Sequence, residues 1–201
     1  MIQPSVYSRE QIIEAAFELI REKGWSALST RAIAKKLGSS TMPIYSHVKS
    51  VEELEKDLQH KARAMQKSFQ QQLYTEHALL NLAFGYVVFA RDEKSLFRFL
   101  YLDRPNKINL ENGESMKEAF LLEFDEGSEE RKALMELKAS GQEALIQYTW
   151  IFTHGLAMLV NAGTFGSNSN QSIMSFLMNA GEAFYLWGIR EKGEVENDQT
   201  D

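Results

Sequence analysis

The stretch STRAIAKKLGSSTMPIYSHVKS, residues 29–50, decides the fold. Ser29 is placed to cap a short helix through Arg31, Ile33, Ala34 and Leu37, because its hydroxyl accepts from a first-turn amide that has no intrahelical partner. Gly38 ends that helix by tolerating positive φ. The pattern predicts a further short helix with Ser40 as cap, carrying Thr41, Met42, Pro43, Ile44 and Tyr45. Pro43 is acceptable only in a first turn, where its missing N–H costs no intrahelical bond. Ala34 is small where the two helices cross, and Ile33, Leu37, Ile44 and Val48 supply a core, leaving Thr41, Met42, Tyr45 and Ser46 outside. Two short helices around a tight turn form a helix-turn-helix unit, whose second helix suits the major groove of duplex DNA.

Outward from this unit the periodicity remains helical. Ser8 with Gln11 reads as a capping box opening a helix with Ile12, Ala16, Leu19 and Ile20 on one face, which Gly24 stops. Ser50 with Glu53 reads as a second box, opening a helix from Val51 to about Tyr74 that is roughly 35 Å long at 1.5 Å per residue. Apolar helical stretches follow near Leu79 to Ala90 and Leu96 to Leu102, then a loop around Pro105, a helix over Glu114 to Phe124, and a turn at Asp125 to Ser128. Proline occurs only three times and no alternating β-branched run is present, so the fold class is all-α. The expected domains are a three-helix DNA-binding head at 1–50, a helical ligand-binding and dimerisation body at 51–193, and an acidic, disordered tail at 194–201.

Charge separates head from body. The first 50 residues carry seven Lys or Arg against four Glu, whereas the remainder carries 15 against 24. No acidic residue lies between Gly24 and Val51, where Arg31, Lys35, Lys36 and Lys49 sit. A surface that meets phosphates gains from counterion release and excludes carboxylates. The chain has no cysteine, which removes disulfides and thiol chemistry and fits a reducing compartment. Charges also punctuate the first 24 residues, so no leader is read there and the expected location is cytoplasmic. The four histidines have no metal-ligand spacing, and no nucleophile elbow or phosphate-binding glycine loop occurs, so an enzyme is not expected and no cofactor is implied.

Ile12, Ala15, Ala16, Gly24, Ser29, Thr30, Arg31, Ile33, Ala34, Leu37, Gly38, Ile44, Tyr45, His47, Lys49, Glu53 and Leu54 together resemble the N-terminal signature of the TetR repressor family. The resemblance covers about forty-five residues and implies a regulator that binds operator DNA. It implies phosphate contacts from Thr30, Tyr45 and Lys49, a guanine-edge contact from Arg31, and base or thymine-methyl contacts from Ser40, Thr41, Met42 and Pro43. His47 joins this set, although its imidazole suits backbone bonding or packing better than base reading. The family commonly has Lys where this chain has Val51 and a hydroxyl residue where it has Pro43, which bears on affinity and operator sequence rather than on binding mode.

From Ala144 to Ile189 the only formal charge is Glu182. A membrane hairpin is disfavoured because Gln147, Thr149, Thr153, His154 and Asn161 are costly in hydrocarbon. Burial on two sides is the better reading, against the chain's own core and against a second copy. The expected dimer interface is Tyr148, Phe152, Leu156, Leu159, Leu177, Ala180, Gly181, Phe184 and Trp187, and the family resemblance implies the same four-helix contact. Phe97, Tyr101, Met116, Phe120, Trp150 and His154 belong to a set of large side chains that suggests a pocket for a small, largely apolar effector. Each taken singly reads as ordinary core. The rival reading is a helical ligand-binding or protein-interaction module with little DNA binding, motivated by Val51, Pro43 and the acidic total.

Overall fold

A computed structural model describes residues 7–105, 127 and 129–190. Among these every regular element is a helix. The expected helix over Glu114 to Phe124 and the tail at 194–201 lie outside the described residues.

The first compact unit comprises residues 1–68 and 92–106. Helix α1 (Arg9–Lys23) opens with the expected capping box: Ser8 Oγ accepts from the Gln11 amide at 3.3 Å, and Gln11 Oε1 accepts from the Ser8 amide at 2.9 Å. Gly24 ends it at φ 81°, its amide donating to Ile20 at 2.7 Å, and a single 3₁₀ turn follows at Trp25–Ala27. Helix α2 (Thr30–Lys36) is capped by Ser29, whose hydroxyl accepts from the Ala32 amide at 3.1 Å. Gly38 turns the chain at φ 64°, and Tyr7 Oη donates to the Leu37 carbonyl at 2.6 Å, satisfying an acceptor that the helix end leaves open.

Helix α3 is shorter than the sequence suggests, spanning Met42–Tyr45. Thr41 rather than Ser40 stands at its start, with helical backbone and no side-chain cap. The Ser50 box also fails to form. Glu53 instead accepts from the Lys49 amide at 2.9 Å, and residues Val51–Leu54 tighten into a 3₁₀ turn before α4 (Glu55–Gln70). Helix α4 therefore has 16 residues and measures about 24 Å, not the roughly 35 Å expected.

Ile12, Ala16, Ile20, Ile33, Ile44, Leu54, Leu58 and Ala62 are fully buried together with Leu96, Phe97 and Phe99 of this unit. The last three belong to α6 (Lys94–Arg98) and the π-helical turn Phe99–Asp103. Polar links hold that segment in the unit. Arg21 meets Glu93 at 2.8 and 2.5 Å, Arg104 meets Glu55 at 2.9 and 2.6 Å, and Gln59 donates to the Arg104 carbonyl at 3.1 Å.

The second unit contains residues 69–91 and 107–201. Here α5 (Ala78–Asp92) runs to the boundary; α7 (Glu129–Glu136), α8 (Ala139–Ala162) and α9 (Asn170–Arg190) follow. Buried Asn81 organises the turn before α5, accepting from the Thr75 amide at 2.7 Å and donating to the Thr75 carbonyl at 2.9 Å. Asn161 on α8 donates to the Ala90 carbonyl of α5 at 2.9 Å, and Arg91 fixes the α8–α9 turn through Asn170 Oδ1 at 2.6 Å. Gly163 supplies the left-handed cap at φ 71° that ends α8. Helices α8 and α9 pack on each other, with a core of Leu134, Leu137, Leu145 and Ile146 lined by Phe184 and Tyr185.

Candidate nucleic-acid interface

The head presents one open polar and basic surface built from α2, α3 and the turn after α3. Arg31 and Lys35 lie exposed on α2, and Lys49 is exposed just beyond α3. Arg31, Lys35 and Lys49 form no ion pair among the described residues. Five other cations of the unit are paired with carboxylates: Arg9 with Asp57, Arg21 with Glu93, Lys36 with Glu22, Lys61 with Glu14 and Arg104 with Glu55. The Lys36 ammonium also holds the Glu22 carboxyl below its ordinary pKa by hydrogen bonding to it. Three uncommitted cations in a carboxylate-free stretch give this face a positive potential directed at solvent.

The expected contact residues share this head. Ser40, Met42 and Tyr45 are exposed, and Thr30, Thr41, Pro43 and His47 are half-buried. Lys35, which the charge count marks but the expected contact set omits, is exposed one turn beyond Arg31 on α2. Val51 is half-buried.

The expected effector residues fall into separate groups. Within the first unit Phe97 is fully buried, and the half-buried Tyr101 ring lies 4.9 Å from it with its hydroxyl donating to Gln66 at 2.7 Å. Within the second unit Trp150 stacks on His154 at 5.0 Å and 8°, and the Tyr86 hydroxyl is bonded to His154 Nδ1 at 2.8 Å. Burial holds the His154 pKa below its ordinary value. Met116 and Phe120 lie outside the described residues. A cavity of about 370 Å³ in the first unit is lined by other residues, among them Lys23, Trp25 and Arg98.

The expected dimer residues divide by burial. Leu156 and Leu177 are each 5% exposed in the single chain, packed into its own core. Tyr148, Leu159 and Trp187 are exposed, joined by Ile151, Phe176, Met178 and Leu186, which the sequence stripes had not assigned to the interface. Phe152, Ala180, Gly181 and Phe184 are half-buried; the Tyr148 ring packs on Phe184 and Trp187 at 6.1 and 5.5 Å. Among the described residues no helix is long and apolar enough to cross a membrane.

An all-helical chain with a helix-turn-helix head at its N-terminal end is thus defined by its own geometry. Residues 12–57 match the family described as bacterial regulatory proteins, tetR family. The chain is 38% identical over 52 residues to an uncharacterized HTH-type transcriptional regulator of Mycobacterium tuberculosis, covering 26% of this chain and 24% of that protein. It is 46% identical over 43 residues to the class D tetracycline repressor protein of Escherichia coli and to the class H protein of Photobacterium damsela subsp. piscicida, covering 21% of this chain and 20% of each. The matches span a quarter or less of these relatives' length, so the likeness is that of the head.

Proposed function

We propose that this protein is a cytoplasmic, homodimeric transcription regulator that binds double-stranded operator DNA through the head and releases it when a small, largely apolar effector binds the body. The observation that carries the reading is the charge of the helix-turn-helix: Arg31, Lys35 and Lys49 stand exposed and form no ion pair among the described residues, in a stretch between Gly24 and Val51 that contains no carboxylate. Phosphates are the ligands that complement such a face, and base edges are within reach of a helix seated between them. In this reading residues 1–50 hold the DNA contacts and 51–193 hold effector and dimer functions.

Dimerisation is supported by the apolar side chains open on α8 and α9, among them Tyr148, Ile151, Met178 and Trp187. A soluble chain rarely leaves such a contiguous apolar face uncovered. Control by an effector is supported by the two aromatic groups, each combining apolar bulk with a polar tip. Recognition helices of a dimer must lie about 34 to 36 Å apart to enter successive major grooves, so an effector that favours another spacing weakens DNA binding and is itself bound more weakly on DNA. Helix α4 passes from the first unit into the second at Ser68–Phe69, and α5 passes back at Arg91–Asp92.

The test is a shift assay of the full chain on duplex DNA from its own promoter region across a salt series. Tight binding that weakens steeply with salt is expected. Failure to bind any duplex at low salt would leave the helical body as a ligand or protein module without DNA function.

A further inference from the structure

The cavity of about 370 Å³ in the first unit is lined from the end of α1 and the turn after it by Lys23, Trp25 and Ser26, and from segment 92–106 by Ser95, Arg98 and Asp103. Its Trp25 wall is fixed in place. The ring stacks on Phe99 at 5.1 Å and lies 5.1 Å below the Arg104 guanidinium, which Glu55 holds at 2.9 and 2.6 Å. The polar groups of the lining are by contrast unspent. Lys23 forms no ion pair, and the Ser26 and Ser95 hydroxyls form no hydrogen bond, among the described residues. Arg98 and Asp103 stand 3.9 Å apart, beyond hydrogen-bond length, so guanidinium and carboxylate both keep their capacity. The neighbouring Arg21 and Arg104 are neutralised by Glu93 and Glu55, which leaves Lys23 and Arg98 as the charge surplus of this cavity.

We infer that this cavity is a binding site for a small phosphate monoester that carries hydroxyl groups. Two cations against one carboxylate give the lining a positive balance, and a concave site focuses that field on an anion. The guanidinium of Arg98 offers a planar fork for two phosphate oxygens, and the Lys23 ammonium adds a point charge for a third. Asp103 repels a bare anion. Its place in the lining is matched by a hydroxyl donor on the same ligand, and Ser26 and Ser95 extend the hydroxyl contacts as donors or acceptors. An unsubstituted aliphatic carboxylate would leave Asp103 and both serines without partners, which costs affinity. The volume falls near the lower end of the roughly 300 to 1,000 Å³ of ligand sites, so the ester is compact. The site lies within the first unit, whereas Trp150 and His154 belong to the second. A ligand here bridges the end of α1 to segment 92–106 and reinforces the attachment that Arg21–Glu93 and Arg104–Glu55 make.

The experiment titrates ribose phosphate and glycerol phosphate into the full chain by calorimetry, with inorganic phosphate, ribose and glycerol as comparisons. At least one ester is expected to bind about tenfold tighter than inorganic phosphate, and the unphosphorylated polyols not to bind. In proton–nitrogen NMR spectra the bound ester should shift the indole N–H of Trp25 and leave those of Trp150 and Trp187 in place. Lys23 and Arg98 are exposed, so exchanging them leaves the fold intact. Arg98→Gln and Lys23→Gln should each weaken the ester about tenfold, and Asp103→Asn should shrink its preference over inorganic phosphate. Binding that leaves Trp25 unshifted, or that is unchanged in both cation variants, overturns the site. Inorganic phosphate bound as tightly as either ester overturns the assigned ligand class. If no ester binds at millimolar concentration and Arg98→Gln instead weakens duplex DNA binding with a shallower salt slope, the cavity receives a backbone phosphate and the inference falls.

Discussion

Arg104 grips Glu55 through both Nε, at 2.9 Å, and Nη2, at 2.6 Å, while its guanidinium lies 5.1 Å above the Trp25 ring. Trp25 in turn stacks on Phe99 at 5.1 Å. The end of segment 92–106 is thereby tied to the first turn of α4 and to the 3₁₀ turn after α1. Removing either charged partner should loosen the same contact. Arg104→Ala and Glu55→Ala are each expected to lower the midpoint of thermal unfolding and to speed amide exchange in the first turn of α4. The double variant should be little worse than the worse single one. Additive losses would mean that the two side chains act separately.

Gly85 is required by distance. A Cβ at this position would lie 2.3 Å from the Phe69 carbonyl oxygen and 2.6 Å from the Gln70 Cα. Both are backbone atoms, so no rotamer change relieves the clash. Gly85→Ala should cost about 2 to 3 kcal/mol despite alanine's better helix propensity. Urea unfolding checks this; a neutral or stabilised variant would show that α5 does not approach the end of α4 so closely.

Expectation and structure agree where a single local interaction decides the outcome. The Ser8–Gln11 box, the Ser29 cap and the positive φ of Gly24 and Gly38 each follow from a few adjacent residues. Ser50–Glu53 has the same spelling, yet the Lys49 amide takes the Glu53 carboxylate. Periodicity shows that α8 and α9 have broad apolar surfaces but does not say which side is closed by the chain itself; Leu156 and Leu177, expected at the dimer interface, are each 5% exposed in the single chain. The inclusion of segment 92–106 in the first unit was illegible because it rests on pairs such as Arg21–Glu93, 72 residues apart, which no local pattern marks.

His154 gives the second unit a pH dependence of fixed sign. Burial lowers its folded-state pKa below the ordinary 6.5, so the unfolded chain takes up the proton first as pH falls. The stability contribution is fully present above the unfolded value and is lost as pH drops through the folded one. Imidazole NMR should place the His154 midpoint below 6.5. Urea unfolding should show that wild type loses more stability than His154→Phe between neutral pH and pH about 5. A midpoint above the ordinary value would contradict the burial argument.

The open aromatic face makes a prediction about assembly. Tyr148 and Trp187 are exposed in the single chain, 43% and 39%, and pack on each other across α8 and α9. Trp187→Glu should therefore keep its helical circular dichroism but sediment as a monomer at micromolar concentration, where the parent is expected to sediment as a dimer. A parent chain that is already monomeric, or a Trp187→Glu variant that stays dimeric, would remove this face from the account.

The central claim is that the uncommitted cations of the helix-turn-helix meet DNA phosphates, and the salt dependence of binding tests it most directly. Affinity for one duplex from its own promoter region is measured by fluorescence anisotropy over a range of salt concentrations for the full chain and for Lys49→Ala. The account predicts weaker binding and a slope of log affinity against log salt that is shallower by about one for each Lys49 that meets a phosphate. An unchanged slope in Lys49→Ala would contradict it.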